Sequence, residues 1–348
     1  MGAFDGSTLG ERIRNHFGHD DHLYGALFAA WADDWAAGGV VRDLLAGWED
    51  APPQQFPQLR LAAGLFRIVL RGEAPDLAGF YECLGGSRDH RDVWSVAEPV
   101  MEAHREELRA ALDEAPQTNE VGRSVALLAG LAEAVRRMGM SRVRLIEPGA
   151  SGGLTTLVDR IRFEGDGWAH GPEDSPLALR GCGATGFVPE PFEVVSRTGC
   201  DLNPVDAATP DGASYLTSFV WPWMLERHDR LRGALELARR HPVRIDRAPA
   251  STWVAEQLAS PPPPGVLTVV WHSVTRIYWP TEEYAAMVAA VDDARSRMPL
   301  AHISLEHPWD GSTPVADAGE LPVIELDGER LGTAGHHGPP VHLTSRSS

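Results

Sequence analysis

The chain has 348 residues, 31 Lys plus Arg against 49 Asp plus Glu, and a formal charge of -18. A surface of that sign repels a phosphate backbone, which argues against broad nucleic-acid binding. An apolar fraction of 43% excludes the disordered class and leaves room for a full α/β core. Cys83, Cys182 and Cys200 form no ligand pair and no even disulfide framework, so reduced thiols and a cytoplasmic setting are expected. The first residues, MGAFDGSTLGERIRNHF, lack the apolar core of a signal peptide, and no run is long enough to cross a bilayer.

In chain order, residues 1–140 read as an α-helical N-terminal region. Leu23, Leu27, Trp31 and Trp35 recur every fourth residue, and the stretch from Phe56 to Leu70 is again apolar. A further helix is expected from Thr118, a candidate N-cap followed by acidic Glu120. Its apolar face would carry Val121, Val125, Leu128, Leu131, Val135 and Met138. Because no flexible linker follows at Met140, this region is expected to pack on the sheet that begins at Ser141.

Residues 141–348 alternate strand and helix patterns, which argues for parallel βαβ units. VRLIE at 143–147 is the first strand and runs into a glycine turn, with a helix expected around Leu154, Leu157 and Val158. An insertion or extra hairpin fills about 164–190, and FEVVSRTGCD forms a second strand ending at Asp201. A helix from Leu225 to Arg240, a strand in HPVRI and a helix from Thr252 to Leu258 come next. After the stiff Pro261–Pro264 connector, GVLTVVWHS is the strongest strand signal. A helix over 282–298 and the strand AHISLE lead to two last strands, LPVIEL at 321–326 and PVHLTS at 340–345, expected to pair as an antiparallel terminal hairpin.

The sharpest motif is Glu147-Pro148-Gly149-Ala150-Ser151-Gly152-Gly153. Glycines between a strand and a helix let backbone amides approach a ligand, and Glu147 at the strand end can accept hydrogen bonds. A structural tight turn explains the same letters. They also spell GxSxG, the nucleophile-elbow pattern, with Asp201 and His272 or His302 as later partners. Against that reading, an elbow normally follows earlier strands, and here the preceding region reads as helical. Ser151 is then a small loop residue.

Asp201 closes the second strand, where a carboxylate can accept both hydroxyl protons of a ribose or simply hold an Asx turn. Asp246 lies beyond the third strand, and WHS delivers Trp271 and His272 to the same rim, His272 as a candidate acid or base. The group His16, His19, Asp20, Asp21 and His22 and the pair His336–His337 lack a familiar ligand spacing, so no metal is assigned.

Several separated stretches carry a resemblance. QTNEVGR at 117–123, EPGASGGLTTLVDRIRF at 147–163, GCDLNPVD at 199–206, VWPWMLERHDRL at 220–231, WHSVTRIYWP and HHGPP are similar to those of the uncharacterised bacterial family DUF2332. That family implies no established reaction. More distantly, residues 141–345 resemble class I S-adenosylmethionine-dependent methyltransferases, which implies a Rossmann-like sheet of parallel strands with an antiparallel terminal hairpin. By that resemblance Glu147, Gly149, Ser151, Gly152, Gly153, Asp201 and Asp246 would hold S-adenosylmethionine, with a small molecule or a protein as methyl acceptor. The Asn/Asp-Pro-Pro-aromatic motif of amino-methylating members is replaced by WHSV at 271–274. The alternative is a non-catalytic ligand-binding or scaffold protein on the same sheet. The sequence leaves the oligomeric state open.

Overall fold

A computed structural model describes residues 8–52, 55–114, 116–117, 120–308 and 320–344. The chain forms two compact units, residues 119–212 with 230–348 and residues 2–118 with 213–229. The first helices are α1 (Leu9–Phe17), α2 (Leu23–Ala37), α3 (Val40–Leu44), α4 (Pro57–Leu70), α5 (Pro75–Ala78), α6 (Trp94–Ala103) and α7 (Arg105–Leu112). Local chemistry sets their ends. Thr8 and Glu11 form a capping box on α1, Gly38 ends α2 in the left-handed conformation, and Pro57 opens α4. The four-residue stripe on α2 is real: Leu23, Leu27 and Trp31 are buried, and Trp35 packs against the same core. Trp221 and Trp223 return to this unit, where Trp223 stacks on His22 at 3.8 Å between ring centroids.

The other unit opens with α8 (Ser124–Met138), grouped in sequence with the preceding helices but packed here against the sheet. Thr118, the expected cap, lies outside the described residues; Glu120 instead accepts from the Gly122 amide at 3.0 Å in a 3-10 turn ahead of α8. Gly130 lets α8 approach closely, since a Cβ there would collide with Ile303. The apolar stripe ends one turn early, with Met138 exposed.

The strands of the main sheet are β1 (Arg142–Pro148), β5 (Glu193–Asp201), β6 (Ile245–Arg247), β7 (Val266–Ser273), β8 (Leu300–Glu306), β9 (Val323–Leu326), β10 (Glu329–Gly335) and β11 (Gly338–Leu343). They run in the order β11-β10-β9-β8-β7-β1-β5-β6. From β6 to β8 all neighbours are parallel, and the last three strands are antiparallel. Between β1 and β5, the short strands β2 (Arg162–Glu164), at the edge of the expected insertion, and β3 (Ala169–His170) and β4 (Ala178–Leu179), within it, make a small separate sheet. Helices α9 (Pro210–Ser218), α10 (Leu225–Arg240), α11 (Ala250–Leu258) and α12 (Thr281–Arg295) complete the order. Among the described residues, no helix is long and apolar enough to cross a membrane.

Three sequence expectations change. The end of the sheet is a three-strand meander: β10 separates β9 from β11, because Asp327 and Gly328 both take positive φ (55° and 80°) and close a two-residue Asp-Gly hairpin. The third parallel strand starts at Ile245, after Pro242, and so contains Asp246. After the glycine turn the chain forms a 3-10 helix, Leu154–Arg160, kinked at Leu157, in place of an α-helix. Gly153 enters that segment left-handed, and the Thr156 hydroxyl donates to the Gly153 carbonyl at 2.7 Å.

Candidate functional site

Parallel strands bring their C-terminal ends to one rim, and the strand order reverses between β1 and β7. At that switch point β1 delivers Glu147 into the glycine turn. Gly149 and Gly153 take φ of 73° and 69°, and Ser151, although not glycine, takes 52°. The turn is tied to β5. Asp201 accepts from the Ser151 amide on Oδ2 and from the Asn203 amide on Oδ1, both at 2.8 Å, and the Ala150 amide donates to the Cys200 carbonyl at 2.9 Å. Asp201 and the turn are therefore brought together as expected, with the carboxylate holding the turn's backbone. The glycines serve packing as well: a Cβ at Gly149 would meet Thr275 and Trp279, and one at Gly153 would meet Ile245 and Val243.

Glu147 is 4% exposed. Its Oε1 accepts from the Thr155 hydroxyl, to which the Trp271 indole also donates at 3.4 Å. Its Oε2 is buried without a hydrogen-bond partner. Burial raises the carboxyl pKa to about 8; the Thr155 and Trp271 contacts oppose that rise, and the Asp201 charge adds to it. Glu147 thus keeps its proton at neutral pH, as a donor as well as an acceptor.

Ser151 Oγ is also buried without a hydrogen-bond partner. Its backbone has the strain of a nucleophile elbow, yet no base lies within hydrogen-bond reach of the hydroxyl among the described residues. Asp246 accepts from Arg244 at 2.8 Å and from the Trp253 indole at 2.9 Å, which lower its pKa, the Trp253 bond most. Cys200, beside Asp201, is pushed up to about 12 by burial, so its thiol is a poor nucleophile.

His272 lies on a different face. Along β1 and β7, Ile146 and Val270 pack with α11 and α12, so the intervening Glu147 and Trp271 point the other way. His272 rejoins the α12 side, with its ring 6.0 Å from Tyr284 and 5.5 Å from Trp279 between centroids. It has no exposed surface. Its Nδ1 meets Glu306 Oε1 at 2.7 Å, and its Nε2 meets His302 Nε2 at 3.1 Å. Burial lowers the His302 pKa to about 3, with the His272 and Arg295 charges adding to the shift, so His302 is neutral.

Glu306 was not singled out by sequence reading. The signal was present in AHISLE, where His302, Ser304 and Glu306 alternate in a strand otherwise made of apolar residues. A third group joins the 120–123 and 336–337 segments. Arg123 is buried and donates to the His336 carbonyl at 3.2 Å, His336 stacks on His307 at 5.2 Å, and Arg230 approaches Glu120 at 3.4 Å.

Several polar side chains of 16–22 have partners within the protein. His22 caps α2 by accepting from the Gly25 amide at 3.0 Å, His16 meets Gln58 at 3.2 Å, and Asp21 pairs with His90 at 2.9 Å. Glu73, His104 and Glu107 bring ligand atoms within 4.8 Å of one another. Arg71 already bridges both of those carboxylates, at 2.8 and 2.5 Å.

Fold and rim together define a mixed α/β protein with a helical N-terminal region and a mostly parallel sheet whose C-terminal edge gathers buried carboxyls and histidines. A family model described as an uncharacterised protein conserved in bacteria, DUF2332, matches residues 14–342, and the chain belongs to that family. No curated protein and no solved structure matches it.

Proposed function

We propose that the rim at the exits of β1, β5 and β6 binds S-adenosylmethionine, and that the protein is a methyltransferase acting on a small molecule or a protein. One observation carries this reading: the glycine turn and Asp201 meet, hydrogen-bonded, beside the strand-order switch of the parallel series β6-β5-β1-β7-β8. That order also supports a Rossmann-like methyltransferase-type sheet, with a longer antiparallel end than the resemblance implies.

The donor set suits the cofactor. Glu147 Oε2 and Ser151 Oγ are buried and unpartnered, and each Asp201 oxygen accepts a single amide and so retains acceptor capacity. Glu147 would take the amino group, Asp201 the ribose hydroxyls and Asp246 the adenine side. The bound cofactor supplies a sulfonium methyl group open to attack by a nucleophile. The chain's own contribution is orientation and exclusion of water.

A second reading, a non-catalytic ligand-binding or scaffold protein, is favoured by one feature. The segment after the turn is 3-10, so the anion-attracting end of an α-helix is missing there, and Thr275 and Trp279 cover Gly149. Titration calorimetry separates the possibilities. Saturable binding of S-adenosylmethionine or S-adenosylhomocysteine is expected, weakened at least about tenfold in Asp201→Ala, which loses charge-assisted hydrogen bonds, and abolished in Gly152→Trp. Binding without methyl transfer to any acceptor would favour the second reading. No binding to the folded protein would defeat the first.

A further inference from the structure

The Glu306 carboxylate is used on one side only. Its Oε1 is met by His272 Nδ1 at 2.7 Å, the Thr275 amide at 3.0 Å, the Thr275 hydroxyl at 3.2 Å and the Arg276 amide at 3.4 Å. Its Oε2 is buried and has no hydrogen-bond partner, although the residue is 7% exposed. A carboxylate oxygen removed from water without a donor is costly, so a fold that saturates one oxygen and leaves the other open is holding an acceptor in a fixed direction.

The turn that delivers these donors is itself strained. Val274, a β-branched residue, sits at φ 51°. Such a conformation persists only where its surroundings enforce it, here through the Val274 amide donating to the Leu305 carbonyl at 2.9 Å.

The surroundings select the ligand's charge. Among the described residues, His272 is the sole ion-pair partner of Glu306 within 4 Å. His272 Nε2 in turn faces Nε2 of the neutral His302 at 3.1 Å. The Arg276 guanidinium lies over the Tyr284 ring at 4.5 Å from its centroid, so an aromatic face next to His272 already accepts a cation. With a chain charge of -18, the long-range field also draws cations.

We propose that Glu306 Oε2 is the anchor of a second ligand subsite, at the exit of β8, which takes a primary ammonium group. His272 and Thr275 are its positioning residues: they fix the carboxylate through Oε1 and do not touch the ligand. The subsite borders the Gly149–Asp201 turn, since Thr275 also lies against Gly149, and is tested without S-adenosylmethionine.

The probe is n-butylammonium, titrated into the full chain carrying 15N-labelled histidine, with the His272 ring nitrogens as the readout. A saturable shift is expected, because a cation on Oε2 weakens the acceptor that Nδ1 faces through Oε1. The shift should need at least about tenfold more probe in Glu306→Gln, the factor for losing a charge-assisted bond. Thr275→Val, which keeps Oε2 and the backbone donors, should bind the probe with a smaller loss. Butanol and butyrate of the same chain length serve on the wild type, so the outcome does not depend on a variant that folds. Equal binding of butanol would overturn the charge requirement. No saturable effect of butylammonium on the wild type, or an effect unchanged in a folded Glu306→Gln protein, would overturn the subsite.

Discussion

Replacing Glu147 by glutamine should make the protein's stability markedly less sensitive to a rise in pH from about 4.5 to about 8. The carboxyl titrates from an ordinary 4.5 in the unfolded chain to about 8 in the folded one, with burial as the main cause. A raised folded pKa means that the native state holds a proton which the unfolded state has released. The sign follows from proton counts: below the unfolded value both states are protonated and nothing is lost. Between about pH 4.5 and about pH 8 the wild type loses up to about 1.4 kcal/mol per pH unit from this group. Glutamine has the shape of the protonated acid and can still accept from Thr155, but it cannot ionise. Urea unfolding across that range should therefore show wild-type stability falling relative to Glu147→Gln, with the gap widest near pH 8. Parallel curves would mean that Glu147 is solvated or ionised in the native state.

His272→Ala should be among the most destabilising single changes in the sheet unit. It removes the Nδ1 contact at 2.7 Å and leaves Glu306 buried with backbone and hydroxyl donors only. Breaking one side of a buried pair costs about 3–5 kcal/mol, because the remaining charge stays desolvated. The double change His272→Leu with Glu306→Leu should recover much of that loss, since apolar side chains replace both partners. Denaturant unfolding of His272→Leu, Glu306→Leu and the double gives the coupling directly. Additive losses would show that the two side chains do not act as a pair, and a His272→Ala loss below about 1 kcal/mol would show that Glu306 is readily solvated or protonated.

Much of the architecture was legible because its signals are local. Leu23, Leu27 and Trp31 mark a helix face by spacing alone, and Val266–Ser273 is a run too β-branched to be anything but a buried strand. The meeting of the glycine turn with Asp201 was also legible, because parallel strands place such exits at one edge whatever fills the connections. Two local failures came from turn chemistry: Asp327-Gly328 was read through as a link, and left-handed Gly153 leads into a 3-10 path.

The His272–Glu306 contact was of another kind. It joins residues 34 apart and needs the register of β7 on β8, in which His272 lies opposite Ser304. No spacing in the chain encodes that register. The alternation of His302, Ser304 and Glu306 gives only the common face, and the face is what separates His272 from Glu147 and Trp271.

A ligand site at the C-terminal ends of β1 and β5 should be visible in a crystal structure of the protein soaked with S-adenosylhomocysteine. Density for the ligand is expected along the Gly149–Gly153 turn, with its ribose hydroxyls within hydrogen-bond distance of Asp201 and its amino group at Glu147. A fully bound ligand elsewhere on the chain, or a clear map with Thr275 and Trp279 still closed over Gly149 and nothing at Asp201, would contradict it.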